Sequence, residues 1–195
     1  MECALGLRAH SGWAAVVAVA APDEAAEGPR VVLRERLELT DPAIPGAKQP
    51  YHAAEPMGLE DAALFLERCE RASRELARAR LTAVLERLRA EGLAPARCGL
   101  LLAAGRPLPD LRATLASHAL IHVGDGELFR KALAAGADGC GLELRRVRER
   151  DVAASLGRSA DAVEAYLTLQ RKTLGPPWAQ DQKLAALAAW FALRG

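Results

Sequence analysis

The residues best suited to chemistry fall into a few groups along the chain. Arg8 and His10 close an apolar run at the start, Arg106 follows a second apolar run, and Asp181 and Lys183 open the last helical pattern. An Arg guanidinium is a planar fork matched to phosphate, and a His near neutral pH can carry charge or relay a proton. Arg8, His10, Arg106 and Lys183 therefore form a candidate anion site, with nucleotide or nucleic-acid phosphate as the natural ligand class. Two blander accounts compete with it. Arg8 and Asp181 could form a purely structural ion pair, and Asp181 could simply complement the dipole of the helix it begins.

A second candidate set is polar: His52, His122, Glu127 and Asp181. His118 and His122 stand four apart, with Asp125 and Glu127 following, which is the most metal-like spacing in the chain. Against a metal, Ala119 and the β-branched Ile121 and Val123 argue against a helix there, so hydrogen-bonded structural roles are expected and no metal site is. Tyr51 and His52 follow Pro50 in a long connection, where they could cover a ligand or anchor the loop equally well. No phosphate-cradling glycine motif, nucleophile elbow or metalloprotease helix occurs, and Gly124-Asp125-Gly126 is too short to count.

The elements that must position these residues follow from pattern. Ala4 to Ala9 and Trp13 to Ala21 are apolar stretches around His10-Ser11-Gly12 and predict an antiparallel hairpin. After a loop over Pro22 to Pro29, alternation through Val31, Leu33, Leu37 and Leu39 predicts a half-exposed third strand near an edge. Thr40 to Gly58 shows no periodicity and is a long connection, either functional or disordered. Helical spacing from Leu59 to Leu88, stopped by Gly92, predicts one long amphipathic helix whose Glu67/Arg71 and Glu70/Arg74 pairs face solvent. Cys98 to Ala104 predicts a central buried strand. A short helix over Asp110 to His118, an ambiguous Leu120 to Val123, and a helix over Gly126 to Ala137 capped by Asp125 come next. Leu142 to Val147 predicts a fifth strand, and Ser159 to Thr173 and Trp178 to Leu193 two further helices.

Composition narrows the rest. The chain has 195 residues, 51% of them hydrophobic, enough for one domain with its own core. Its formal net charge of +1 gives no global field toward nucleic acid, so any such affinity must be local. Arg greatly outnumbers Lys and Ala is abundant, as expected of a GC-rich bacterial coding sequence. No membrane-spanning run and no signal-peptide layout are evident, so a cytoplasmic protein is expected. Cys3, Cys69, Cys98 and Cys140 are too dispersed for a zinc motif and predict small buried residues. Trp13, Trp178 and Trp190 are expected to be core or interface anchors, with Trp190-Phe191 a candidate homodimer contact.

Three antiparallel strands, a long helix, and then strand, helix, strand and helix is an order that resembles the ribonuclease H-like superfamily. Ala4-Leu5-Gly6-Leu7-Arg8 resembles the first strand of Holliday-junction resolvases. The resemblance implies an α/β fold with a central mixed five-stranded sheet, three strands antiparallel and then two parallel, flanked by helices. In nucleases of this superfamily it also implies two divalent metals held by carboxylates on the first strand, near the fourth strand and on the last helix. Here those places carry Arg8 and Leu102-Ala103-Ala104, and Asp181 alone remains comparable. A cation repels Mg²⁺, and one carboxylate is too few for a two-metal centre. The expectation is a non-catalytic phosphate-ligand or nucleic-acid binding domain over residues 1–195 with no cofactor. Two alternatives stand beside it: a divergent Mg²⁺- or Mn²⁺-dependent nuclease or phosphotransferase using Asp125, Glu127 and Asp181, and a protein-interaction subunit.

Overall fold

Continuous apolar runs decide the architecture: the central strands bury consecutive residues on both faces, so the sheet must be covered on both sides. The computed structural model describes residues 1–22, 28–103 and 107–194. Strands β1 (Glu2–His10), β2 (Trp13–Ala20), β3 (Arg30–Glu38), β4 (Ala94–Leu102) and β5 (Glu143–Arg148) form one sheet in the order β3-β2-β1-β4-β5. β1/β2 and β2/β3 pair antiparallel, β1/β4 and β4/β5 parallel. The expected mixed five-stranded sheet is therefore the observed one, with β3 at an edge.

The two faces are covered differently. On one, helices α2 (Leu59–Ala90) and α4 (His118–Gly139) pack over Cys3, Leu5, Leu7, Val16, Cys98 and Leu100. On the other, α5 (Ala160–Leu174) and α6 (Gln180–Leu193) cover Ala15, Val17, Val19, Leu101 and Val147. α6 lies almost on the sheet backbone, which its run of small residues permits: Ala185, Ala186, Ala188 and Ala189 are fully buried. The sheet matches them with glycine. Gly6 and Gly99 are register partners, and a Cβ on either would stand 1.9 Å from the Ala185 carbonyl oxygen or 2.1 Å from that of Ala188. This contact seats the middle of α6 on the middle of β1 and β4, and so sets how the start of the helix approaches the strand ends.

Several expected boundaries move. β4 begins at Ala94, because its first residues pair with Glu2 and Cys3, and ends at Leu102; Ala104 lies outside the described residues. The central strand is β1, with β4 beside it. Thr40 to Gly58 is an ordered connection that buries Ile44, Ala47 and Ala54 and contains a short helix α1 (Pro50–Ala54), begun by Pro50 as proline at the first helical position favours. α3 (Leu111–Leu115) is capped by Asp110, whose carboxylate accepts from the Ala113 N–H at 2.9 Å. α4 then starts at His118, so the ambiguous stretch is helical and Asp125 is a mid-helix residue, not a cap. Burial of Ile121 against the core outweighs the weak helix preference of β-branched residues. Trp190 is buried against Tyr166, with ring centroids 4.7 Å apart, and so serves this chain's own core. Among the described residues, no helix is long and apolar enough to cross a membrane.

Candidate functional site

β1, β4 and β5 all run toward the same edge of the sheet, and α6 begins there. Open sheets with parallel strands offer their ligand sites at that edge. Arg8 and His10 alternate with Leu7 and Ala9 and thus point to the α6 side, where Asp181 occupies the first turn of the helix.

Arg8 is held on three sides. Its Nε and Nη2 donate to Glu149 Oε2 and Oε1, each at 3.0 Å, and its Nη1 donates to Asp181 Oδ1. The guanidinium side chain is 19% exposed. Partial burial works to lower the Arg8 pKa, but the hydrogen bonds and charges of Glu149 and then Asp181 outweigh it and hold Arg8 above its ordinary value. His10 Nε2 lies 2.9 Å from Asp181 Oδ1 and 2.8 Å from Arg8 Nη1. With a proton it donates to the carboxylate; without one it accepts from the guanidinium. Its ring stacks on Trp13 with centroids 4.2 Å apart, and the Arg36 guanidinium lies over the Trp13 ring, 4.1 Å from its centroid. Arg8 brings two carboxylates against one cation, so its charge is satisfied within the chain.

The other expected members of the anion set do not join this cluster in the same way. Lys183 is two residues beyond Asp181, and such positions face different sides of a helix. Arg106 lies outside the described residues. Glu149, one residue past β5, was not anticipated: the apolar pattern of Leu142 to Val147 marks a strand but says nothing about which charge follows its end.

The second polar set divides between the two faces. Asp125 is 1% exposed and accepts from the Tyr51 backbone N–H at 2.7 Å and from His52 Nδ1 at 2.5 Å. Gly124 gives the Tyr51 ring its room, since a Cβ there would meet the ring at 2.7 Å. Tyr51 and His52 thus anchor α1 on α4. Burial, followed by the charges of Glu70, Asp125 and Glu127, raises the pKa of the Tyr51 phenol. His122 Nε2 stands 3.1 Å from His118 Nε2, and His52 joins them. Glu127 is taken by Arg130 at 3.0 Å and Asp181 by Arg8 and His10 across the sheet. Asp125, Glu127 and Asp181 therefore do not converge as a nuclease centre would require.

This architecture is a ribonuclease H-like fold, the one shared by Holliday-junction resolvases. In particular, the chain is similar to the Thermus thermophilus RuvC structure, with a TM-score of 0.55 at 14% identity over 97% of this chain and 92% of that one. It is likewise similar to T. thermophilus RuvC in complex with Holliday junction substrate, with a TM-score of 0.55 at 15% identity over 98% and 92%. The structural likeness shows the fold, and identity this low leaves the chemistry to the residues present. No protein-family model matches the sequence, and no curated protein matches it.

Proposed function

We propose that this chain is a non-cleaving, nucleic-acid-binding domain built on the ribonuclease H-like fold. The observation that carries the proposal is the two-pronged grip of Arg8 on Glu149. Two-metal phosphodiester cleavage depends on carboxylates gathered around Mg²⁺ or Mn²⁺, and here a guanidinium stands among the acids at the end of β1. The cation neutralises the acids a metal would need, so neither Mg²⁺ nor Mn²⁺ has a role in this account.

Binding is assigned to the rim around that ion pair. A shallow cleft of about 490 Å³ is lined by Ala103, Arg148, Glu149, Arg150, Gln180 and Leu184. Arg148 and Arg150 are exposed, and Lys48 packs beside Gly12 at the turn between β1 and β2 on the same edge. Arg150 Nε stands 3.6 Å from Asp151, an exposed pair that leaves the rest of its fork outward; such planar forks suit phosphate oxygens, and a phosphate backbone presents them in series. One of the similar structures is described as a complex with a Holliday junction, so branched DNA is the first ligand to try.

Fluorescence anisotropy with a labelled four-way junction, a duplex and a single strand tests this. Binding is expected with no cleavage in Mg²⁺ or Mn²⁺. For about three phosphate contacts, affinity should fall about 40-fold between 50 and 200 mM salt. Arg148→Glu with Arg150→Glu should abolish it. Binding that is absent at low salt, or stoichiometric metal-dependent cleavage, overturns the proposal.

A further inference from the structure

Among the described residues, one group of three His, Cys, Asp or Glu side chains places all its ligand atoms within 4.8 Å of one another: His52, His118 and His122. It lies on the α4 side of the sheet, away from the Arg8 cluster, and nothing in the proposed nucleic-acid role uses it. We propose that these three histidines bind a single transition-metal ion of the Zn²⁺ class.

The donors have suitable geometry. α4 sets His118 and His122 one turn apart on one face, and their Nε2 atoms meet at 3.1 Å. Two nitrogens on one tetrahedral zinc, each about 2.0–2.1 Å from it, stand about 3.3 Å apart. His52 comes from a different element, α1, and completes a triangle with ring centroids 4.5 Å and 5.4 Å from those of His122 and His118. Three imidazoles drawn from two elements, with both α4 rings exposed, leave a fourth coordination position open to water.

The supporting shell is what separates this group from a chance cluster. Metal-bound histidines typically donate their second ring N–H to a carboxylate, which fixes the tautomer and strengthens the ligand. His52 does so: its Nδ1 is engaged by the buried Asp125, which leaves Nε2 as the atom facing the other two rings. Asp125 is in turn oriented by the Tyr51 backbone N–H. Burying a carboxylate is costly without such partners. His118, His122 and Asp125 share one face of α4 at spacings of four and three. Nitrogen donors select Zn²⁺, Co²⁺, Ni²⁺ or Cu²⁺ over Mg²⁺ or Ca²⁺, which prefer oxygen. Asp125 acts through His52 and is a positioning residue, not a ligand.

The test uses the full untagged chain after removal of metal by chelation. Titration with ZnCl₂ in a calorimeter should give one ion per chain, with a raised Tm reversed by EDTA and no response to Mg²⁺. Co²⁺ should give the visible absorption of a tetrahedral site with nitrogen donors. His118→Ala with His122→Ala, both at exposed positions, should fold normally and weaken Zn²⁺ binding at least 100-fold. Asp125→Asn should weaken it about 10- to 100-fold with the stoichiometry retained. No Zn²⁺ binding by the parent chain, or binding that survives the double histidine variant, overturns the proposal.

Discussion

Two polar clusters sit at the same edge of the sheet, one on the α6 side and one on the α4 side, and they differ in how their charges are used. Around Arg8, every strong group has an opposite partner: the guanidinium bridges Glu149 and Asp181, and His10 fills the remaining corner. Around His118, two imidazole nitrogens face each other, and one can donate only if the other accepts. The first cluster closes on itself; the second sets three ring nitrogens within 4.8 Å of one another. The acids at the end of β1 are thus neutralised by the protein's own cation, while three imidazoles gather on the other face of the sheet.

The largest expected effect breaks the first cluster through its scaffold. Gly6→Ala drives a Cβ into the Ala185 carbonyl, and Gly99→Ala does the same at Ala188. Gly→Ala usually stabilises by restricting the unfolded chain, but here backbone meets backbone and cannot yield. Each should cost about 3 kcal/mol or more, seen as a large loss of Tm by circular dichroism. A Tm within two or three degrees of the parent would mean that α6 does not rest on the strands as described.

Next comes the second cluster's foundation. Asp125→Ala removes the acceptor for both the Tyr51 N–H and His52, and should cost about 3 kcal/mol. Hydrogen exchange should accelerate in residues 50–54 while β1 stays protected. Equal acceleration in both would show that the two clusters are coupled.

Arg8→Asp sharpens the contrast directly, by placing a third carboxylate beside Glu149 and Asp181. In EDTA it should lose about 2 kcal/mol through like-charge repulsion in a half-exposed site. Millimolar Mg²⁺ or Mn²⁺ should restore part of that loss, whereas the parent chain should not respond. A variant as stable as the parent in EDTA would show that Arg8 is not what holds the acids together.

The sequence made the sheet and its flanking helices legible because Leu5, Leu7, Val16 and Val17 are apolar in runs that strands require, and α2 repeats at helical spacing over its full length. Arg8 and Asp181 could be paired in advance because the resemblance placed both at one edge. Glu149 could not, since a charge just past a strand end is ordinary until the neighbouring strand is known. The spacing of His118 and His122 was legible, but the helix that carries them and the arrival of His52 beside them were not. Local propensity in Ile121 and Val123 opposed a helix, and only burial of Ile121 against the core, a long-range effect, brings His118 and His122 one turn apart and into contact. His52 came from a stretch with no periodicity at all, anchored by a contact 73 residues away in sequence.

The smallest effect concerns the thiols, which are the rival ligands for any zinc-class ion. Cys3 and Cys98 on the sheet and Cys69 on α2 are buried in the core between them, and burial pushes Cys3 and Cys69 up to about 11 and Cys98 to about 12 from an ordinary value near 9. A thiol so shifted favours folding below pH 9 and ceases to do so as the pH rises through 11 to 12. At pH 8 these three therefore hold almost no thiolate and should resist iodoacetamide, while the half-exposed Cys140, at the far end of α4 from His118, reacts. Mass spectrometry should count one adduct on the native chain and four after denaturation. Saturating Zn²⁺ should leave the native count and rate unchanged, because the ion sits on imidazole. Protection of Cys140 by Zn²⁺ would move the metal to the other end of the helix and take the three histidines out of the comparison.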